Sequence, residues 1–394
     1  MRLPQVLSRF QTEVQHAHQF VEQSNGTYFL RQGGIRPTRM LYEGRGCLNL
    51  ASNSYHALGQ DPEVKQAAMQ AIEEFGTTCG GSPVLNNTWV HVQLERAIED
   101  YLGMPAILLS TGFNANAATI GHLVGPGETL FSDERNHASI WAGCKAIPAD
   151  ASCSRYPHCD VEGLRRRLDH SRAPALIVTD SVFSMAGDLA PLREIADLCE
   201  GHGVALMVDE AHGFGIYGRG RGLAAELGVR PTFMAVTMSK SLASVGGIFC
   251  GPADVVDTLR VKMKEYLFSA NLPAANVAAA LKSLEILKRE PWRIDRLHAV
   301  ATRLRLGLRE FGLSIASDTS PIVSVLMGSP ERAFQYAKGL LAHAVFVNPV
   351  KAPGVPKGKE LLRCTVNSQL TEEEIDEALD AFQAVVHEHG LPDR

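Results

Sequence analysis

From about residue 60 to residue 250 the chain alternates short apolar runs with longer stretches of helical periodicity. Ala106–Ser110, Glu128–Ser132, Ala175–Thr179, Val204–Val208, Met234–Thr237 and Gly247–Cys250 are the runs. Runs this short, apolar throughout and separated by helices, are strands of a mostly parallel sheet covered on both faces. Pro62–Phe75 is a helix between them, with Asp61 as N-cap and Pro62 at its first position. An α/β fold follows.

Outside that region the texture differs. Gln5–Gln23 has apolar positions at helical spacing, Asn25-Gly26 and Gly33-Gly34 mark turns, and 47–51 reads as a short strand. After a helix over Ala274–Lys288, strands at Pro321–Met327, Val345–Asn348 and Leu361–Val366 mix with helices at Ala333–His343 and Thr371–His389. The expected division is an N-terminal segment over 1–58, a large domain over 59–285 and an α+β domain over 286–394.

Composition sets limits on partners. The 394 residues are 45% hydrophobic and 21% charged, enough apolar material for a large core. A net charge of -5 lacks the basic excess that nucleic acid or an anionic membrane surface demands. No run approaches the ~20 apolar residues of a membrane helix. The polar stretch from Met1 to Gln19 lacks the apolar core of a secretory signal, so a cytoplasmic protein is expected. Eight cysteines are scattered with no CxxC pair, as in a reduced protein without a metal site; Cys153, His158 and Cys159 come nearest to a cluster.

Four segments carry chemistry, each following its own strand. Val208-Asp209-Glu210-Ala211-His212-Gly213 places an acid at a strand's carboxyl end, where open α/β sheets bind ligands. A carboxylate buried there needs a cationic partner; taken alone, the segment also fits a metal or nuclease site. Thr237-Met238-Ser239-Lys240-Ser241 sets a lysine among hydroxyls just beyond a strand, suited to imine chemistry beside a phosphate, although a lone lysine in such a loop is also ordinary surface. Ser110-Thr111-Gly112-Phe113-Asn114 is a strand-to-helix turn whose N–H groups suit a phosphate. Asp133 to Ser139 brings His137 to a strand end, where it could stack on a ring or be purely structural. Their order allows all four to converge on one sheet edge.

These segments resemble the α-oxoamine synthases, fold-type I enzymes of pyridoxal 5'-phosphate (PLP). The group includes 8-amino-7-oxononanoate synthase, serine palmitoyltransferase, 5-aminolevulinate synthase and 2-amino-3-ketobutyrate CoA ligase. The likeness runs from about Asn49 to Phe382 and includes Thr111–Asn116, Asn136–Ile140, Ser181–Asp188, Val208–Gly213, Thr237–Gly247, Tyr266–Ser269 and Leu361–Arg363. Ile120–Leu123, Ser239–Ser244 and Phe346–Pro356 look nearest to the serine-palmitoyltransferase branch.

The resemblance implies a seven-stranded, mostly parallel sheet and an α+β C-terminal domain. It implies Lys240 as the Schiff-base lysine, Asp209 as partner of the pyridine nitrogen and His137 stacked on the ring. Ser184 and His212 would lie near the phenolic oxygen. Gly112, Phe113 and Thr237 would hold the phosphate, with Ser269 reaching in from the second subunit of a homodimer. Arg363 would take the substrate carboxylate by a bidentate contact, with Asn53 in the same pocket. The implied reaction is the decarboxylative condensation of serine, alanine or glycine with an acyl thioester of CoA or acyl carrier protein, giving an α-amino ketone. An aminotransferase and an inactive PLP-fold subunit are the alternatives; His137, in place of the aromatic residue usual in transamination, and Lys240 speak against them. The chain departs from the family at His56-Ala57, Gly81-Ser82-Pro83 and Ala186, and it is shorter around Asn86–His91. Those departures concern the choice of amino acid and acyl donor.

Overall fold

The computed structural model describes residues 5–24, 27, 28 and 30–392. The turn expected at Asn25-Gly26 lies outside them. The chain begins with α1 (Gln5–Gln23), β1 (Gly34–Ile35), β2 (Arg39–Tyr42) and β3 (Arg45–Asn49). There follow α2 (Pro62–Phe75), α3 (Trp89–Leu102), β4 (Ala106–Leu109), α4 (Gly112–Leu123), β5 (Thr129–Asp133), α5 (Ala138–Lys145), β6 (Ser152–Tyr156), α6 (Val161–Asp169) and β7 (Pro174–Asp180). Next come α7 (Leu192–His202), β8 (Ala205–Asp209), α8 (Leu223–Glu226), β9 (Phe233–Thr237), β10 (Gly247–Cys250), α9 (Ala253–Lys262), α10 (Lys264–Leu267) and α11 (Ala274–Arg289). The chain ends with α12 (Trp292–Glu310), β11 (Ile322–Leu326), α13 (Pro330–Ala342), β12 (Val345–Phe346), β13 (Asn348–Val350), β14 (Leu361–Thr365) and α14 (Glu372–His389). They form two compact units: one runs from Asn53 to Ala299, and the other combines the chain up to Ser52 with the chain from Val300 onward.

The larger unit holds a seven-stranded sheet in the order β4-β10-β9-β8-β7-β5-β6. β10 is antiparallel to both neighbours, and the other pairs are parallel. This is the sheet that the apolar runs predicted. Successive residues of its strands enter two different cores, as the two-residue period of a strand requires. Leu108, Val236 and Ile248 pack in a cluster with Leu94, Ile98, Val277 and Leu284. Ile107, Ala235 and Phe249 pack in another with Ile120, Ile140 and Val178. Truncating one such leucine to alanine costs about 2–5 kcal/mol. The edge strand β6 (Ser-Cys-Ser-Arg-Tyr) is polar and half-exposed, which is why no apolar run announced it.

The parallel strands deliver their last residues to one edge. β5 ends at Asp133, β7 at Asp180, β8 at Asp209 and β9 at Thr237. Asp61 caps α2 by accepting from the Glu63 N–H at 2.9 Å, as the sequence indicated.

The smaller unit has two sheets, β1-β2-β3-β12 and β11-β14-β13. The run Val345–Asn348, expected as one strand, is shared between them: β12 pairs in parallel with β3, and β13 pairs with β14. α14 starts with a capping box between Thr371 and Glu374. Among the described residues, no helix is long and apolar enough to cross a membrane.

Candidate active site

Asp209 closes β8 and is buried. Its Oδ1 accepts the Ala211 N–H at 2.8 Å and its Oδ2 accepts Asn116 Nδ2 at 2.6 Å. Asp180, in register with it at the end of β7, is buried as well. Burial, and next the charge of Asp209, hold the Asp180 carboxyl well above the usual range, although the His137 N–H and the Lys240 ammonium oppose them.

His137 caps α5, with Nδ1 2.7 Å from Ser139 Oγ and its own N–H donated to Asp180 Oδ2 at 2.8 Å. Burial lowers its basicity first; Asp209 raises it and Lys240 lowers it. The net direction is downward, so the imidazole is neutral at pH 7. The same balance places Lys240, in the turn after β9, within electrostatic reach of both His137 and Asp180.

His212 is buried, and its Nδ1 lies 2.6 Å from the hydroxyl of Tyr55, a fully buried residue. Their rings meet edge-on with centroids 6.0 Å apart. The neighbouring Glu210 is buried and accepts from Ser181 Oγ at 2.7 Å, Leu223 N at 3.0 Å and Ala224 N at 2.8 Å. Burial outweighs these donors and pushes its carboxyl up to about 7.

A cradle for an anion lies where α4 begins. Thr111 caps the helix by accepting the Asn114 N–H at 3.1 Å, leaving Gly112 as its first residue. Thr237 Oγ1 and Ser239 Oγ are 2.8 Å apart. A Cβ on Gly112 would sit 2.5 Å from Thr237 Oγ1, and one on Gly247 would sit 2.2 Å from the Thr111 carbonyl oxygen. Only glycine lets the helix start, the Thr237 hydroxyl and β10 approach this closely. N–H groups at a helix N-terminus beside two hydroxyls fit a phosphate. A flat cationic ring on that phosphate fits the acid, imidazole and amine of Asp209, His137 and Lys240.

The remaining expected residues are placed as follows. Phe113 is half-exposed next to Gly112. Ser184 lies in the turn after β7, closed by the bridge between Val182 and Leu189. The Asn53 carbonyl accepts the Tyr55 N–H at 3.0 Å. Ser269 follows α10 next to Phe268, which is 83% exposed. Arg363 belongs to the smaller unit: it is buried in β14, and Nη1 donates to Thr365 Oγ1 at 2.9 Å.

Tyr55, Asn116, Ser139 and Asp180 had no assigned part in the sequence reading, yet each bonds directly to a site residue. Asp180 had a signal, since it too is an acid ending an apolar run. Tyr55 and Asn116 had none, because their partners lie 157 and 93 residues away. The sequence cluster near Cys159 resolves into Asp133, His158 and Cys159, whose possible ligand atoms lie within 4.8 Å of one another. His158 is held there by carboxylates on both nitrogens, Asp133 Oδ1 at 3.1 Å and Asp188.

Residues 45–382 match the family model for aminotransferase class I and II. The 8-amino-7-oxononanoate synthase of Symbiobacterium thermophilum is 38% identical, covering 94% of this chain and 98% of its own. The serine palmitoyltransferase (SPT) of Sphingobacterium spiritivorum is 37% identical, covering 91% of each. A solved structure of SPT with PLP superposes with a TM-score of 0.93 at 33% identity, covering 98% of this chain and 99% of that one.

Proposed function

Because the chain belongs to the class I and II aminotransferase family and is a PLP-dependent α-oxoamine synthase, we propose that it condenses serine, alanine or glycine with an acyl thioester, losing CO2 and releasing free thiol. The observation that supports the assignment of roles is that β8 ends at Asp209 and β9 at Thr237, three residues before Lys240, while Asn116 and Ser139 link Asp209 to His137 by hydrogen bonds. An aminotransferase or an inactive subunit accounts less well for a chain this similar to two such synthases.

PLP supplies an electron sink that stabilises negative charge at the substrate Cα. The Gly112 turn, Thr237 and Ser239 hold its phosphate, with Phe113 at the rim. Asp209 would pair with the pyridine nitrogen and hold a proton there. His137, neutral, would cover one face of the ring and keep water from it. His212, oriented by Tyr55, and Ser184 donate to the phenolic oxygen. The Lys240 amine would act as the base at the substrate Cα, taking up its proton and giving it back there. Arg363, with Asn53, binds the substrate carboxylate.

Ser269 beside the exposed Phe268 supports a homodimer in which this segment completes the partner's site. The working compartment is the cytoplasm. The test is thiol release from CoA thioesters of graded chain length with glycine, L-alanine and L-serine. The expected result is thiol and CO2 in equal amounts with one of the three, and none when 2-oxoglutarate replaces the thioester. Turnover that needs a 2-oxo acid and releases no thiol would overturn the proposal.

A further inference from the structure

Asn116 lies in the second turn of α4, behind the anion cradle, and is 2% exposed. Its Nδ2 group uses both hydrogens. One goes to Asp209 Oδ2 at 2.6 Å and the other to Ser139 Oγ at 2.9 Å. Ser139 Oγ is in turn 2.7 Å from His137 Nδ1. One side chain thus joins the acid assigned to the ring nitrogen and the imidazole assigned to the ring face, through two different helices.

The orientation of the amide follows from chemistry. A carboxylate accepts and does not donate, so the NH2 end must face Asp209; the flipped amide would set two acceptors against each other. The opposite end is left with a deficit. Asn116 Oδ1 is buried and has no hydrogen-bond partner among the described residues. A buried acceptor without a partner is destabilising, and packing alone would favour leucine at this position. The asparagine is therefore explained by its donor and not by its shape.

We propose that Asn116 is a positioning residue for catalysis, which fixes the Asp209 carboxylate and, through Ser139, the His137 ring in one rigid frame. This rests on the roles given above to Asp209 and His137. With Oδ1 of Asp209 taken by Ala211 and Oδ2 by Asn116, the carboxylate has one orientation. The titratable groups facing this frame are Asp180 from β7, Asp209 from β8, Lys240 from the turn after β9 and His137 from α5.

The test uses PLP-loaded wild type, Asn116→Leu and Asn116→Asp, with rates expressed per mole of bound PLP so that loss of folded protein does not enter. Deuterium exchange at Cα is followed by NMR with glycine, L-alanine and L-serine, and amino-acid affinity is read from the visible absorbance. Asn116→Leu is expected to lower exchange roughly 100-fold while affinity changes less than about threefold. Asn116→Asp keeps the shape and reverses the polarity. At pH 8 it is expected to be about 100-fold slow, and at pH 6, where the new carboxyl is protonated and donates, to recover to within about tenfold of wild type.

Wild-type exchange rates in Asn116→Leu, or a loss in Asn116→Asp that does not recover at low pH, would overturn the proposal. If Asn116→Leu does not fold, the pH profile of Asn116→Asp decides alone. Failure of the wild type itself to bind PLP or exchange Cα protons would instead strike the reading on which the proposal rests.

Discussion

Asp180 and Asp209 end neighbouring parallel strands in register, and burial together with the charge of Asp209 holds the Asp180 carboxyl well above its usual range. Environments that drive two adjacent acids apart assign them different tasks. Asp209→Asn is expected to lower kcat/KM roughly 100- to 1,000-fold, because the charge opposite the ring nitrogen is lost. Asp180→Asn keeps an acceptor for the His137 N–H at a position where burial already disfavours the charge, so its kcat/KM should stay within about tenfold of wild type. Steady-state kinetics of the two variants makes the comparison.

Tyr55→Phe removes the hydroxyl that lies 2.6 Å from His212 Nδ1 without altering the packing of a fully buried ring. The expected outcome is a fall in kcat of about tenfold with a loss of about 1–3 kcal/mol of stability. Urea denaturation alongside kcat measures both.

Gly112→Ala would drive a methyl group against Thr237 Oγ1. The apoprotein should lose about 1–3 kcal/mol of stability, the usual range for overpacking, and PLP affinity should weaken further as the cradle shifts. Equilibrium binding of PLP and thermal unfolding without it separate the two effects.

Two groups give stability a downward slope with pH. Glu210 has a folded pKa of about 7 against an ordinary 4.5, because burial disfavours its charge. The native state then holds the extra proton between those values, so its stabilisation is complete below 4.5 and is lost as pH rises through 7. The loss is at most about 3 kcal/mol. For His158 burial opposes the charge, but the hydrogen bonds it donates to Asp133 and Asp188 more than offset it and raise the pKa from 6.5 to about 11. That stabilisation is complete below 6.5 and disappears through 11. Glu210→Gln should flatten the slope between pH 5 and 7. His158→Gln should flatten it above pH 7 and cost about 3 kcal/mol at neutral pH. Urea midpoints measured from pH 5 to 10 provide the check.

The sheet was legible because its strands are apolar on both faces; Gly247–Cys250 and Met234–Thr237 read as strands from composition alone. β6 was not, since an edge strand needs polar residues and Ser152–Tyr156 therefore resembles a loop. Val345–Asn348 read as one strand because periodicity does not show where a chain passes from one sheet to another. In the site, Asp209, His137 and Thr237 announced themselves by following strands. Asn116 and Tyr55 did not, because hydrogen-bond partners distant in sequence leave no local pattern.

The central claim is that the Lys240 amine carries PLP. Borohydride reduction of the PLP-loaded protein, followed by digestion and mass spectrometry, tests it most directly. A single phosphopyridoxyl adduct is expected, on the peptide bearing Lys240, and none on Lys240→Ala. An adduct on a different lysine, or unchanged labelling of Lys240→Ala, would contradict it.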